Sequence, residues 1–214
     1  MHKDIKVIAF DLDGVLFDGL SAAFALAQKV GLGSKYEELF MRMAKEKLSF
    51  NEALHEGAII WKGVPFGGKY REYVKQLPLM KGAEATIQAL KAAGYIVGCI
   101  SSGVSQFFME PLAERLNLDF AHSNILGTSD GTHSGEIEYA MGRPQKAETA
   151  LKILKERELS TANLASIGDG ENDIDLFGVS ALSIAFNPES DAVSGAATVT
   201  VHSKDLGSIL EYFV

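Results

Sequence analysis

The 214-residue chain holds one cysteine, one tryptophan and five prolines. A lone cysteine cannot close a disulfide within the chain, so a cystine-stapled secreted scaffold is excluded and a reducing cytoplasm is expected. Cys99 lies inside the apolar run YIVGCI, where a buried core thiol is the ordinary reading. No apolar run comes near the roughly 20 residues of a membrane span, and MHKDIKVIAF lacks the apolar core of a signal peptide. Basic blocks are missing too. With a formal net charge of -8, neither nucleic acid nor an acidic membrane surface is an expected partner, and a small anionic ligand needs local cations. The five histidines show no metal-ligand spacing. PFGGKY lacks the frame of a phosphate-binding P-loop, and neither DLDGVLFD nor DGENDIDLF has the EF-hand order of an acid at the fifth position and glycine at the sixth.

What is present is an ordinary globular composition, 47% hydrophobic and 22% charged, enough for one large domain or a domain with a small insert. Short apolar runs at residues 5–10, 95–101, 164–168 and 182–186 read as strands buried on both faces. Helical spacing covers 82–93, ending at Gly94, as well as 104–117 and 146–158. Strand alternating with helix predicts an α/β fold, a doubly wound and mostly parallel sheet. Residues 18–78 break the rhythm with helical periodicity and no strand candidate, so they are expected to form a helical insert, leaving 1–17 and 79–214 as the core. Within the insert, Ser49-Phe50-Asn51-Glu52 predicts a capping box opening a helix towards Trp61. Residues 123–139 predict a β-hairpin around Asp130-Gly131.

In VIAFDLDGVLF the apolar run meets Asp11 and Asp13, which point the same way if the strand continues through Leu12. Two carboxylates so close need a cation, a shared proton or open solvent, unless the stretch is only an Asp-Gly turn. Ligands of such sheets bind beyond the carboxyl ends of the strands, so the residues after each strand decide between these readings. Ser101-Ser102-Gly103 follows one strand, offering hydroxyls to an anion or simply capping the next helix. Gly168-Asp169-Gly170-Glu171-Asn172-Asp173 follows another, and its order of five specified positions arises by chance in about one chain in ten thousand. Lys146 opens a helix just after Pro144, as a solvated charge or as an ammonium over the sheet edge.

D-x-D-G-V after the first strand, Ser-Ser-Gly after a middle strand, a helix-opening Lys and G-D-G-x-N-D, in that order, resemble the haloacid dehalogenase superfamily of phosphatases. The insert after the first motif and the hairpin before the Lys helix resemble its phosphoserine phosphatase-like branch, and KDLGSILEYF fits as a closing helix. The resemblance implies Mg²⁺ held by Asp11, the Asp13 carbonyl and Asp169, with Asp173 steadying the metal's waters. It implies Asp11 as nucleophile forming an aspartyl-phosphate, Asp13 as general acid and base, Ser101, Ser102 and Asn172 against the phosphate, and Lys146 bridging phosphate and Asp11.

That branch reads the amino and carboxylate groups of phosphoserine with a Glu and an Arg, whose positions here hold Leu20 and His55. A leucine cannot bind an ammonium, and a neutral imidazole cannot make the Arg fork to a carboxylate. Phe17, Leu20, Phe24, Trp61 and Phe66 are candidate cap-core or lining residues. The expected activity is therefore hydrolysis of a small-molecule phosphomonoester other than phosphoserine. A phosphotransferase or mutase with the same intermediate, or a true phosphoserine phosphatase, are the enzymatic alternatives. A receiver-type signalling domain is disfavoured, because it places its phosphorylated Asp after a middle strand and lacks so long an insert.

Overall fold

The computed structural model of the protein describes residues 4–214. Its strands β1 (Val7–Phe10), β2 (Ile96–Ser105), β3 (Phe120–Ser129), β4 (Thr132–Tyr139), β5 (Leu164–Gly168), β6 (Leu182–Phe186) and β7 (Val199–Val201) form one seven-stranded sheet in the order β4-β3-β2-β1-β5-β6-β7. All neighbours run parallel except the β3–β4 hairpin. β1 lies at the centre, with Val7 beside both Ile96 and Leu164. Its alternate residues serve two cores. Ile8 and Phe10 pack with Leu26, Ile87 and Leu90, while Val7 and Ala9 pack with Ile100, Ile153 and Leu154. Each such large side chain removed from water contributes about 1.5–3 kcal/mol, so the doubly wound arrangement holds β1 rigidly.

Four helices, α1 (Ala22–Lys29), α2 (Gly33–Glu46), α3 (Phe50–Trp61) and α4 (Lys69–Gln76), stand between β1 and α5 (Ala83–Ala92). α3 starts with the expected capping box, Ser49 and Glu52 each accepting from the other's backbone N–H. The segment after α3 is fastened to the hairpin: Gly63 N donates to the His133 carbonyl at 2.8 Å and His133 N to the Val64 carbonyl at 3.1 Å. The remaining helices are α6 (Gln106–Leu116), α7 (Arg143–Glu156), α8 (Ile174–Gly178) and α9 (Asp191–Ala196). Among the described residues no helix is long and apolar enough to cross a membrane.

Three local expectations change. The strand expected to stop at residue 101 runs to Ser105, because Ser105 pairs with Asn124 of β3 across a register shift. The Asn124 amide fixes that bulge by donating to the Ser102 and Val104 carbonyls at 2.8 and 2.9 Å. Ser101 and Ser102 thus sit in a bulged strand, and Ser105 occupies the N-cap position of α6. The hairpin turn has Asp130 and Gly131 both at positive φ, 49° and 76°, as a two-residue primed turn requires, but its strands extend the main sheet. The closing segment, Leu206–Tyr212, is a 3₁₀ helix, opened by Asp205 accepting from Gly207 N at 2.9 Å only two residues on.

Candidate active site

β1 ends at Phe10, and the Leu12 carbonyl accepts from the N–H groups of Leu16 and Phe17 at 2.9 and 2.8 Å. Asp11 and Asp13 therefore converge through a turn and not through continued strand alternation. Asp11 stays on the ladder, its N–H donating to the Ile167 carbonyl at 2.8 Å. Asp13 Oδ1 accepts from Ala22 N, the first residue of α1, at 2.6 Å.

Lys146, in the first turn of α7, is fully buried between two carboxylates: Nζ lies 2.8 Å from Asp11 Oδ1 and 2.6 Å from Asp173 Oδ1. Asp173 Oδ2 accepts from the Asp169 and Gly170 N–H groups at 3.2 and 3.3 Å, which shapes the loop after β5. Asp11, Asp169 and Asp173 each bring a carboxylate oxygen within 4.8 Å of the others. Opposite them, Ser101 Oγ accepts from Gly103 N at 3.1 Å, and Ser102 Oγ accepts from the Asn172 amide at 2.7 Å. Eight of the ten residues singled out from the sequence are thus gathered around one point.

Two glycines make the gathering possible. Gly14, at a φ of 69° that side chains rarely adopt, would put a Cβ into Asp169 Oδ2, and a Cβ at Gly103 would overlap Asp13 Oδ2. Both glycines fall inside the sequence motifs, Gly14 in D-x-D-G-V and Gly103 in Ser-Ser-Gly, but Asn124 behind the bulge was not marked by them. Asn124 carried a faint signal, an amide amid the strand-forming residues of FAHSNILG.

The electrostatics follow from crowding and burial. Burial, then the Asp11 charge, pushes Asp13 up to about 7, against the Ala22 N–H and Lys146. Burial and then Asp11 and Asp173 push Asp169 up to about 8. Asp173 also rises to about 7, from burial and then Asp11, with Lys146 opposing. Burial alone would lower the Lys146 ammonium, but Asp11 and Asp173 outweigh it and hold it protonated above its ordinary range. More negative charge is collected than one lysine offsets. The second carboxylate oxygen of Asp11, whose Oδ1 faces Lys146, and the Asp169 carboxylate suit a small divalent cation such as Mg²⁺, whereas the Asp173 carboxylate is engaged at both oxygens by Lys146 and two N–H groups.

Leu20 and His55 fare differently. Leu20 is fully exposed at the mouth of a cavity that adjoins Asp13 and Ser102. His55 does not reach that cavity. Ala53, Leu54, Gly57, Ala58 and Trp61 of α3 line it, and His55 projects from the helix outside that stripe, into solvent. Of the proposed apolar lining, Leu20 and Trp61 take part, while Phe17 is a core residue and Phe66 stacks on Phe107 at 3.9 Å between centroids.

The family model of haloacid dehalogenase-like hydrolases matches residues 5–177, a span that carries every one of these acidic and basic groups. The chain belongs to the haloacid dehalogenase-like hydrolases. It is 30% identical over 213 residues to the phosphoserine phosphatase of Methanocaldococcus jannaschii, covering 99% of each chain. It is 26% identical to that of Lactococcus lactis, over 96% of this chain and 94% of the other. A phosphoserine phosphatase solved as a phospho-aspartyl intermediate analogue superposes with a TM-score of 0.82 at 28% identity, over 99% of this chain and 100% of that one. This haloacid dehalogenase-like hydrolase is a phosphatase of the phosphoserine phosphatase-like branch.

Proposed function

We propose that this protein is a cytoplasmic, Mg²⁺-dependent phosphomonoester hydrolase that works through an aspartyl-phosphate on Asp11. The observation that carries the reading is the pairing of an ion-paired Asp11 with an Asp13 whose carboxyl is poised near neutral pH. Lys146 engages Asp11 Oδ1, leaving Oδ2 to attack phosphorus. As the bond from Oδ2 to phosphorus forms, the ester P–O bond breaks, and Asp13 gives its proton to the departing alkoxide. Asp13, now a carboxylate, takes a proton from the water that next attacks phosphorus, which releases phosphate and regenerates Asp11. A group that changes protonation twice per turnover works best with a pKa near the operating pH, as here. Ser101, Ser102 and Asn172 would hold phosphate oxygens, and Asp173 would orient Lys146 and the Asp169 loop. Mg²⁺, held by Asp11, Asp169 and the Asp13 carbonyl, supplies neutralisation of the phosphoryl charge. Residues 18–78, with α1–α4, would act as a cap over this centre.

Dialysis against EDTA is expected to abolish hydrolysis of p-nitrophenyl phosphate, with recovery on adding Mg²⁺; full activity without a divalent ion would overturn the reading. A thermal companion has a definite sign. In EDTA the folded protein holds protons on Asp13, Asp169 and Asp173 up to about pH 7–8, whereas unfolded carboxylates release theirs near the ordinary 3.8. The folded state binds more protons across that window, so stability falls as pH rises from about 4 to about 8. Added Mg²⁺ is expected to raise the Tm more at pH 8 than at pH 5, because it displaces those protons.

The relatives' names favour phosphoserine itself as the substrate. Leu20 at the cavity mouth, and an α3 stripe that brings no cation to the cavity, favour a different alcohol.

A further inference from the structure

We propose that the alcohol accepted by this phosphatase is an uncharged, largely apolar one, with an aromatic ring or a branched alkyl chain. The inference rests on the phosphomonoester reading and names its substrate class. A cavity of about 270 Å³ runs from Asp13 and Ser102 in under α1–α3, near the lower end of the roughly 300–1,000 Å³ usual for small-molecule sites. That size suits one ring or a short branched chain and is too small for a nucleotide or a lipid tail. Leu26, Leu39, Met43, Leu54, Trp61 and Phe108 are among its walls. Among the described residues, Asp13 is the only charged side chain lining it.

The polar wall groups are neutral and largely spent. The Tyr36 hydroxyl accepts the Trp61 indole N–H at 2.6 Å, and the Asn124 amide is committed to the Ser102 and Val104 carbonyls. An ammonium and a carboxylate entering this space would shed water and meet no guanidinium for the second and, for the first, no carboxylate besides Asp13 at the catalytic end. An apolar body sheds water with gain instead. The rim repeats the chemistry: Leu20, Phe40 and Phe50 line the cavity and are 101%, 37% and 43% exposed, so a bound alcohol would cover apolar surface that otherwise faces water.

The chain's one tryptophan, Trp61, lines the cavity and reports its filling. Asp11→Asn protein with Mg²⁺ is titrated with 2-phenylethyl phosphate and with phosphoserine, reading Trp61 fluorescence and calorimetry. The wild type is assayed with the same two esters. The phenylethyl ester is expected to bind at least about tenfold more tightly and to show at least about tenfold higher kcat/KM. Leu20→Glu, a change at a fully exposed position, is expected to shrink that ratio severalfold. Phosphoserine bound or hydrolysed as well as the phenylethyl ester, or a ratio unmoved by Leu20→Glu, would overturn the proposal. Preferential binding of the phenylethyl ester without turnover of either compound supports this specificity and refutes the hydrolase reading alone.

Discussion

Lys146→Met is expected to cost about 3–5 kcal/mol of folding stability at pH 8, the usual loss when one partner of a buried ion pair is removed. Methionine fills much of the lysine's volume, so packing around α7 survives and the loss is electrostatic. Asp11 and Asp173, 3% and 0% exposed, would face each other with no ammonium between them. Asp173 has an escape in protonation. Removing the opposing lysine raises Asp173 further above its value of about 7, so the folded variant holds protons that the unfolded chain gives up near 3.8. The deficit therefore shrinks as pH falls. Urea denaturation in EDTA at pH 8 and at pH 5 measures it, and a cost that is equal at both values would show that charge is not the cause. Turnover is expected to be lost at either pH, because the variant lacks the ammonium that holds Asp11 Oδ1 and would face the phosphoryl charge.

The largest catalytic effect is expected from Asp11→Asn. An amide cannot form the acyl phosphate, so kcat on p-nitrophenyl phosphate should drop by at least about 10³-fold, as when other enzymes lose their nucleophile. Stability should move the other way. Asp11 is a charge that raises Asp13, Asp169 and Asp173 alike, and the amide removes that repulsion while Lys146 keeps Asp173. In EDTA the Tm is expected to hold or rise; with Mg²⁺ the variant should gain less than the wild type, having one carboxylate fewer for the metal. Substantial hydrolysis by a well-folded Asp11→Asn protein would move the nucleophile elsewhere.

The centre was legible because its parts lie at the ends of strands that short apolar runs disclose. Asp11 after VIAF, Ser101 in the continuation of YIVGCI and Asp169 after LASIG share the carboxyl edge of neighbouring strands, so locating the strands located the cluster. The capping box at Ser49 and Glu52 likewise fixed where α3 starts. Which face of α3 meets the cavity depends on its packing against Tyr36 and the hairpin, partners far off in sequence, and this left His55 in solvent. The extension of β2 to Ser105 was hidden for a similar reason: pairing with Asn124, not local propensity, carries the strand past its glycine. The walls of the cavity come from α1, α2, α3, β2 and β3, with Tyr70 of α4 and Phe108 of α6, and no short window of sequence contains them together.

The 2.6 Å hydrogen bond from Ala22 to Asp13 joins a helix terminus to the carboxyl proposed as general acid and base. That N–H is among the influences that lower the proton affinity of Asp13, so a displacement of α1 that breaks the bond makes Asp13 a weaker acid. By linkage, a protonated Asp13 grips α1 less tightly than an ionised one does. Helix position and acid strength are thus two readings of a single coordinate: whatever holds α1 against Asp13 also keeps its carboxyl the stronger acid.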